Sequence, residues 1–253
     1  MNVTFLGTGT SQGIPVIGCK CEVCKSLDFK DKRFRTSIYV EVSGIHLIVD
    51  TGPDFRMQSL NNRIEQLDAV LYTHEHKDHT AGMDDIRSFN FLLKKDIPVY
   101  GRQQVLDTLK REFAYAFSEN KYPGVPNINQ VEVRNEPFQI NEISILPIEG
   151  WHKDLPVFGY RIKDFAYLTD VNYVSEEEQQ KLNGCDTLVV NALHRNKHYS
   201  HFNLEEALAF IDRVNPKKAY LTHISHQMGR HKDVEKELPD HIRIAYDGLK
   251  LTL

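Results

Sequence analysis

The stretch His74-Glu75-His76-Lys77-Asp78-His79 places four candidate metal ligands within six positions. Two imidazoles two residues apart, then adjacent Asp and His, offer nitrogen and oxygen donors at two neighbouring points. Zinc and similar cations take such donors at about 2.0–2.2 Å, and two metals about 3.5–4 Å apart call for a bridging carboxylate. Asp170 suits that bridge. It follows the apolar run Phe165-Ala-Tyr-Leu-Thr169, as His74 follows Ala69-Val-Leu-Tyr-Thr73 and His223 follows Lys218-Ala-Tyr-Leu-Thr222. Apolar, β-branched and aromatic runs of this length read as buried strands, so three strands deliver a ligand at their tips. A lone His at a strand end has many other roles. The density of the H-x-H-x-D-H string is what makes a dinuclear hydrolytic metal centre the leading reading.

Cys19, Cys21 and Cys24 add three soft donors within six residues, whereas a structural zinc site closes on four. Cys185 is one candidate for the fourth, although Asn183-Gly-Cys185-Asp precedes a buried strand; three reduced surface thiols is the plainer alternative. Hydrolysis also needs an acid for the leaving group, and a group poised near pH 7 favours His. His194, His198 and His201 are the candidates. Asp84 and Arg87 follow the histidine string at helical spacing; a solvated i,i+3 pair is the plain reading, a substrate contact or a buttress under the metal ligands the sharper one, and a structural role is expected for both.

The elements that must position these residues can be read along the chain. Strands are expected at Val3–Leu6, Ser37–Val42 and Ile45–Asp50, the last two joined at Ser43-Gly44, and at Ala69–Thr73. A helical stripe of Val105, Leu106, Leu109, Phe113 and Phe117 predicts a helix over 103–117. Residues 118–130 read as a loop, broken by Pro123, Gly124 and Pro126. Further strands are expected at 143–148, 157–162, 165–169, 187–191 and 218–222. Ser175-Glu-Glu-Glu178 and Asn203-Leu-Glu-Glu206 open helices, the first with a capping box. A short helix near 233–238 and a final hairpin turned at Asp247-Gly248 close the chain. Strands and helices in two similar halves predict an α/β (α+β) fold of two sheets between helices.

At 253 residues, with 41% hydrophobic and 26% charged content, the chain has material for a real core. The absence of a linker, and ligands running from 74 to 223, favour a single domain over 1–253. No apolar run reaches the roughly 18 residues of a membrane span, and Met1-Asn-Val-Thr-Phe-Leu-Gly lacks a secretory pattern, so a cytoplasmic location is expected. There cysteines stay as thiolates rather than disulfides. A formal charge of −4 argues against a broad nucleic-acid surface.

Taken together the motifs resemble the metallo-β-lactamase superfamily: H-x-H-x-D-H after a strand, Leu47-Ile-Val-Asp50-Thr-Gly52 before it, and isolated His, Asp and His after it. Phe5-Leu-Gly-Thr-Gly-Thr-Ser-Gln-Gly-Ile-Pro15, the cysteine cluster and Gly82-Met-Asp-Asp-Ile-Arg-Ser-Phe-Asn90 narrow the resemblance to the phosphoribosyl 1,2-cyclic phosphate phosphodiesterase branch of phosphonate breakdown. It spans Val3 to about His226 and implies a four-layer αββα sandwich. It further implies that His74, His76 and His152 hold one metal and Asp78, His79 and His223 the other, with Asp170 bridging and catalytic. Asp50 would sit beneath the site and orient a ligand. His226 would close the Cys19, Cys21, Cys24 set as a structural zinc site, and His201 matches the family's acid position, outside either metal set. The implied activity is hydrolysis of a small, cyclic or open phosphodiester by a metal-bridging hydroxide, with two zinc or manganese ions. The expected partner is that substrate, without nucleic acid or membrane, in a monomer or homodimer. The alternatives are a nuclease similar to the tRNA 3′ endonucleases and a non-catalytic metal-binding member. β-Lactam or thioester hydrolysis ranks lower, because Asp78 and Asp170 make a hard, oxygen-rich shell.

Overall fold

The computed structural model describes residues 1–118, 120 and 122–253. Among them, strands β1 (Asn2–Gly7), β2 (Ser37–Val42), β3 (Ile45–Val49), β4 (Ala69–Leu71), β5 (Ile97–Gly101) and β6 (Ile128–Glu132) lie side by side in chain order. A second sheet takes β7 (Phe138–Ile140), β8 (Ile143–His152), β9 (Leu155–Ile162), β10 (Phe165–Tyr167), β11 (Thr187–Asn191), β12 (Lys218–Thr222) and β13 (Ile242–Ile244), again in chain order. The last strand, β14 (Lys250–Thr252), returns to the first sheet and pairs antiparallel with β1.

In each sheet antiparallel hairpins give way to parallel pairs, β3 to β6 and β10 to β13. Parallel neighbours require a crossover, and helices supply it. Beyond a short α1 (Glu22–Lys25), these are α2 (Phe55–Asn62), α3 (Lys77–Thr80), α4 (Ile86–Leu93) and α5 (Gln103–Glu112) in the first half. In the second they are α6 (Glu176–Gln180), α7 (Leu204–Val214) and α8 (His231–Val234).

Side chains alternate across a strand, and that alternation builds the layers. On β3, Leu47 and Val49 face the core between the sheets, with Phe5, Leu71, Phe158 and Phe165. Ile48 faces the helices instead, with Val70, Tyr72, Phe89 and Leu109. On β12, Tyr220 packs on the inner core while Ala219 and Leu221 meet Phe210 and Ile211 of α7. Burial on both faces explains why these strands read as unbroken apolar runs. The result is the αββα sandwich. Among the described residues no helix is long and apolar enough to cross a membrane.

Four local expectations change. The closing segment is not a hairpin: β13 runs parallel to β12 in one sheet, and β14 pairs with β1 in the other. The Asp247 carboxylate accepts from Thr8 Oγ1 at 2.7 Å and Phe34 N at 2.6 Å, so the Asp247-Gly248 turn carries the chain from sheet to sheet. The loop expected over 118–130 includes Glu119 and Lys121, outside the described residues, and ends early, because Ile128 starts β6. The helix at 103 stops at Glu112, and a 3₁₀ turn over Ala114–Ala116 follows. Only half of the Ser175 capping box forms. Glu178 N donates to Ser175 Oγ at 3.2 Å, but the Glu178 carboxylate turns to Asn135 and the Glu149 amide. At Asn203 both halves are present, at 2.8 and 3.0 Å.

Candidate metal centre

Asp50, Asp170 and His223 all lie just past strand ends, and all three adopt left-handed backbone, with φ of 65°, 58° and 54°. Asp and His tolerate this region better than most side chains, yet it is sparsely populated and costs on the order of 1–3 kcal/mol per residue. The turn breaks the strand alternation and aims each side chain into the gap at the sheet ends. All three are buried.

The threonines before the ligands have partners that account for them. Thr73 donates its amide to Asp50 Oδ1 at 2.9 Å and its hydroxyl to Oδ2 at 2.8 Å. Thr169 donates its hydroxyl to Asp170 Oδ2 at 2.7 Å. Thr222 meets Thr36 at 3.0 Å, and Thr36 also meets the Tyr167 hydroxyl. Asp50 Oδ2 lies 2.7 Å from His79 Nδ1, so it holds that ring from behind. Gly52 allows the histidine loop to close over this floor, since a Cβ there would meet the Asp78 carbonyl at 2.1 Å.

Above the floor, one ligand atom each from Asp78, His79, Asp170 and His223 falls within a common 4.8 Å, as do those of His152, Asp170 and His201. Asp170 belongs to both groups. Its Oδ1 is 2.9 Å from His201 Nε2 and 3.1 Å from His223 Nε2, and its Oδ2 is 3.3 Å from His79 Nε2. Asp78 Oδ2 is 3.3 Å from His79 Nε2 and 3.7 Å from His223 Nε2. His74 Nε2 and His76 Nδ1 are 3.1 Å apart, with the His152 ring centroid 5.7 and 5.1 Å from theirs. Because a carbonyl only accepts, the 2.7 Å contact between His152 Nδ1 and Ser200 O puts the proton on Nδ1 and leaves the Nε2 lone pair available to a metal.

Charge follows geometry. Burial works against ionisation of His79, but Asp78, Asp170 and Asp50 outweigh it and raise the ring well above the ordinary imidazole value. Burial likewise opposes the Asp170 carboxylate, and His223 and His79 hold it well below its usual range. Burial, then His79, keep His74 well below 6.5, and burial takes His152 down to about 4. His79 Nε2 and both ring nitrogens of His223 are buried without a hydrogen-bond partner among the described residues. Unpaired buried nitrogens are expensive, and a cation at the centre of this His/Asp set would take the lone pairs of His79 Nε2 and His223 Nε2. The donor set therefore suits divalent metal.

Of the three acid candidates, His201 makes the contact with Asp170. His198 stands behind it, Nδ1 to Nδ1 at 3.2 Å, and His194 lies further out, its ring 5.7 Å from that of His198. Burial lowers His201, with Asp170 pulling the other way. Asp84 and Arg87 pair at 3.0 Å, with Arg87 exposed and Asp84 half-buried, where it also accepts from the Tyr115 hydroxyl.

A second cluster joins Cys19, Cys21, Cys24 and His226. His226 Nδ1 lies 3.4 Å from Cys19 Sγ and 3.3 Å from Cys21 Sγ. Burial opposes a Cys21 thiolate, but hydrogen bonds from the Cys24 amide and His226 bring its pKa to about 6. Cys185 is elsewhere, its thiol against Thr187 O and Asp164 O. His223 and His226 sit on one short loop that the first strand's exit grips: Ile224 N donates to Thr8 O at 2.8 Å, and Thr10 N to Ile224 O at 3.1 Å. Gly7 lets the chain pass there, as a Cβ would meet Arg35 O at 1.9 Å. Sequence reasoning missed Thr36 and the Ser200 carbonyl. Neither carries a motif, and their partners lie 186 and 48 residues away.

Residues 46–224 match the family model for the beta-lactamase superfamily domain. An octanoyltransferase of Porphyromonas gingivalis is 40% identical over 253 residues, 99% of this chain and 51% of that protein. Exodeoxyribonuclease WalJ of Streptococcus pneumoniae is 28% identical over 170 residues, 62% of this chain and 58% of that protein. The chain thus spans about half the length of these curated relatives. A crystal structure of a new diphosphatase from the PhnP family is 35% identical, covers 100% of this chain and 97% of that one, and superposes with a TM-score of 0.93. By the family match and this full-length likeness, the chain belongs to the beta-lactamase superfamily and has the metallo-β-lactamase fold.

Proposed function

We propose that the chain is a dinuclear phosphodiesterase acting on a small phosphodiester, cyclic or open. The observation that supports this most directly is the shared carboxylate: Asp170 groups with Asp78, His79 and His223 on one side and with His152 on the other, as a carboxylate between two cations would. His74, His76 and His152 would hold one ion, and Asp78, His79 and His223 the other. Cys19, Cys21, Cys24 and His226 would hold a third, structural zinc. Nitrogen and carboxylate donors suit zinc and manganese alike. When bound, the two active-site ions would stabilise charge on phosphoryl oxygens and supply an acidic water near neutral pH.

The chain's own groups orient and move protons. Asp50 fixes His79 through Nδ1, and the Ser200 carbonyl fixes His152, so each ring presents Nε2 to the centre. His201 Nε2 would protonate the departing alkoxide. Burial makes that imidazolium a stronger acid, while Asp170 steadies its charge.

A nuclease is the second reading, favoured by the likeness to exodeoxyribonuclease WalJ; the formal charge of −4 weighs against a long nucleic-acid footprint. A fold member without turnover is the third. Octanoyl transfer is said of a protein of which this chain spans half, and no residue here is assigned to it. The deciding experiment offers metal-loaded protein bis(p-nitrophenyl) phosphate, cyclic nucleotides, a ribose cyclic phosphate, oligonucleotides and a β-lactam. Turnover of the small diesters that chelator abolishes is the expected result. Preference for oligonucleotides would move the assignment to the nuclease, and silence on every substrate would leave the non-catalytic reading.

A further inference from the structure

We infer that Arg102, through Glu149, is a positioning residue for one half of the metal centre, the His74, His76 and His152 half, and not for the other. The inference rests on the two-position reading above. Arg102 links β5 to α5, and its guanidinium crosses from the first sheet to the second. There Nη2 donates to Glu149 Oε2, on β8 three residues before His152. The guanidinium carbon also lies 3.8 Å over the Phe158 ring. Glu149 and Phe158 are register partners on β8 and β9, so one flat cation covers both members of a cross-strand pair. A guanidinium can stack and donate at once, which an ammonium cannot.

The contact then runs back to the histidine string. Phe158 N donates to Thr73 O at 3.0 Å, the residue before His74, and the Tyr160 hydroxyl donates to Tyr72 O at 2.6 Å. From α5 itself, Gln104 Nε2 donates to Glu75 Oε1 at 2.6 Å and Glu112 pairs with Lys77 at 2.5 Å. Glu75 and Lys77 are the two neighbours of His76. Residues 102–112 therefore hold positions beside all three ligands of one half. The other half meets this set only through Thr73, which also donates to the Asp50 that holds His79; no hydrogen bond or ion pair of residues 102–112 reaches Asp50, Asp78 or His79 directly among the described residues, and His223 is held by the grip of Thr8 and Thr10 on Ile224.

Within this set the Arg102–Glu149 contact should dominate. Its side chains are only 22% and 27% exposed, against 65% for Lys77, and exposed pairs contribute little. Arg102 Nε is buried without a partner among the described residues, so the carboxylate and the ring are what fix this cation.

The test is competitive titration of metal-stripped protein with Zn²⁺ against a chromogenic chelator, read alongside thermal melting. Groups that orient metal ligands typically change metal affinity about 10–100-fold when removed. Arg102→Met should weaken one active-site equivalent by about that factor and leave the second, and the cysteine-bound equivalent, within about twofold. Glu149→Gln should do the same without removing the stack on Phe158, and it keeps the test open if Arg102→Met does not fold. The double variant should be no worse than the poorer single one, because the two residues act as a unit. Arg102→Lys should fall between. Equal weakening of both active-site equivalents, or a lower melting temperature with no change in affinity, would overturn the inference and leave Arg102 a general tie between sheets. A wild-type protein that takes only one active-site ion would overturn the two-position reading, and this inference with it.

Discussion

His201 Nε2 lies 2.9 Å from Asp170 Oδ1. The residue expected to deliver the proton thus touches the carboxylate expected to bridge the metals. From the motifs alone His201 stands outside either metal set; in the folded chain its ligand atom groups with those of His152 and Asp170. Proton delivery and metal retention share an atom, and experiments on either residue must read both.

For His201→Ala, turnover of an alkyl or ribose diester should fall about 10²–10⁴-fold, the usual contribution of proton transfer. Bis(p-nitrophenyl) phosphate should be nearly spared, since its leaving group departs unprotonated. Metal content is to be measured in the same preparation. Equal losses on both substrates would make His201 a ligand or substrate-binding group, and no loss on either would move the acid to His194 or His198.

Asp170→Asn keeps size and removes charge. Three imidazoles, of His79, His201 and His223, would then face an amide. The expected outcome is a fall in kcat by orders of magnitude with a native circular-dichroism spectrum. Near-normal turnover in this variant would rule out the dinuclear assignment.

Metal analysis of protein purified without chelator should find about three ions per chain, from the two-metal and four-ligand counts. Mild chelation should remove activity while leaving one zinc in place, and Cys21→Ser should lose that zinc. Unchanged metal content in Cys21→Ser would dispose of the cysteine site.

Stability should carry the mark of Asp247. Burial raises this carboxyl from 3.8 to about 7, against the pull of Phe34 N, Thr8 and Arg33. Between those values the folded chain holds a proton that the unfolded chain has released. The favourable contribution is therefore complete at low pH and fades as pH rises through about 7. At about 1.4 kcal/mol per pH unit its ceiling is about 4 kcal/mol. Asp247→Asn, which cannot titrate, should gain stability relative to the parent between pH 5 and 8 in urea melts. A difference between the two proteins that stays constant with pH would show that the carboxyl is not raised.

The parts legible in the sequence were those written locally. His74 to His79 are contiguous, and the strands that carry ligands read clearly because both of their faces are buried. Asn203 and Glu206 announce their helix three residues apart, as a capping box does. Strand β6 was invisible because it is an edge strand with one buried residue, Ile128, followed by four exposed ones. The Asp247 turn looks like a hairpin until its partners are known, and Thr8 and Phe34 are 239 and 213 residues away. The same limit hid the meeting of His201 with Asp170, which depends on how two loops of the second sheet face each other.

The loop from His223 to His226 has a consequence for how the protein fails. One ligand of each cluster hangs from it, and Ile224 between them is clasped by Thr8 and Thr10. If the clasp opens, both clusters lose a ligand in the same event, so neither should survive the other when the first strand's exit frays. Amide exchange at Thr10 and Ile224 would then report the lifetime of both centres at once.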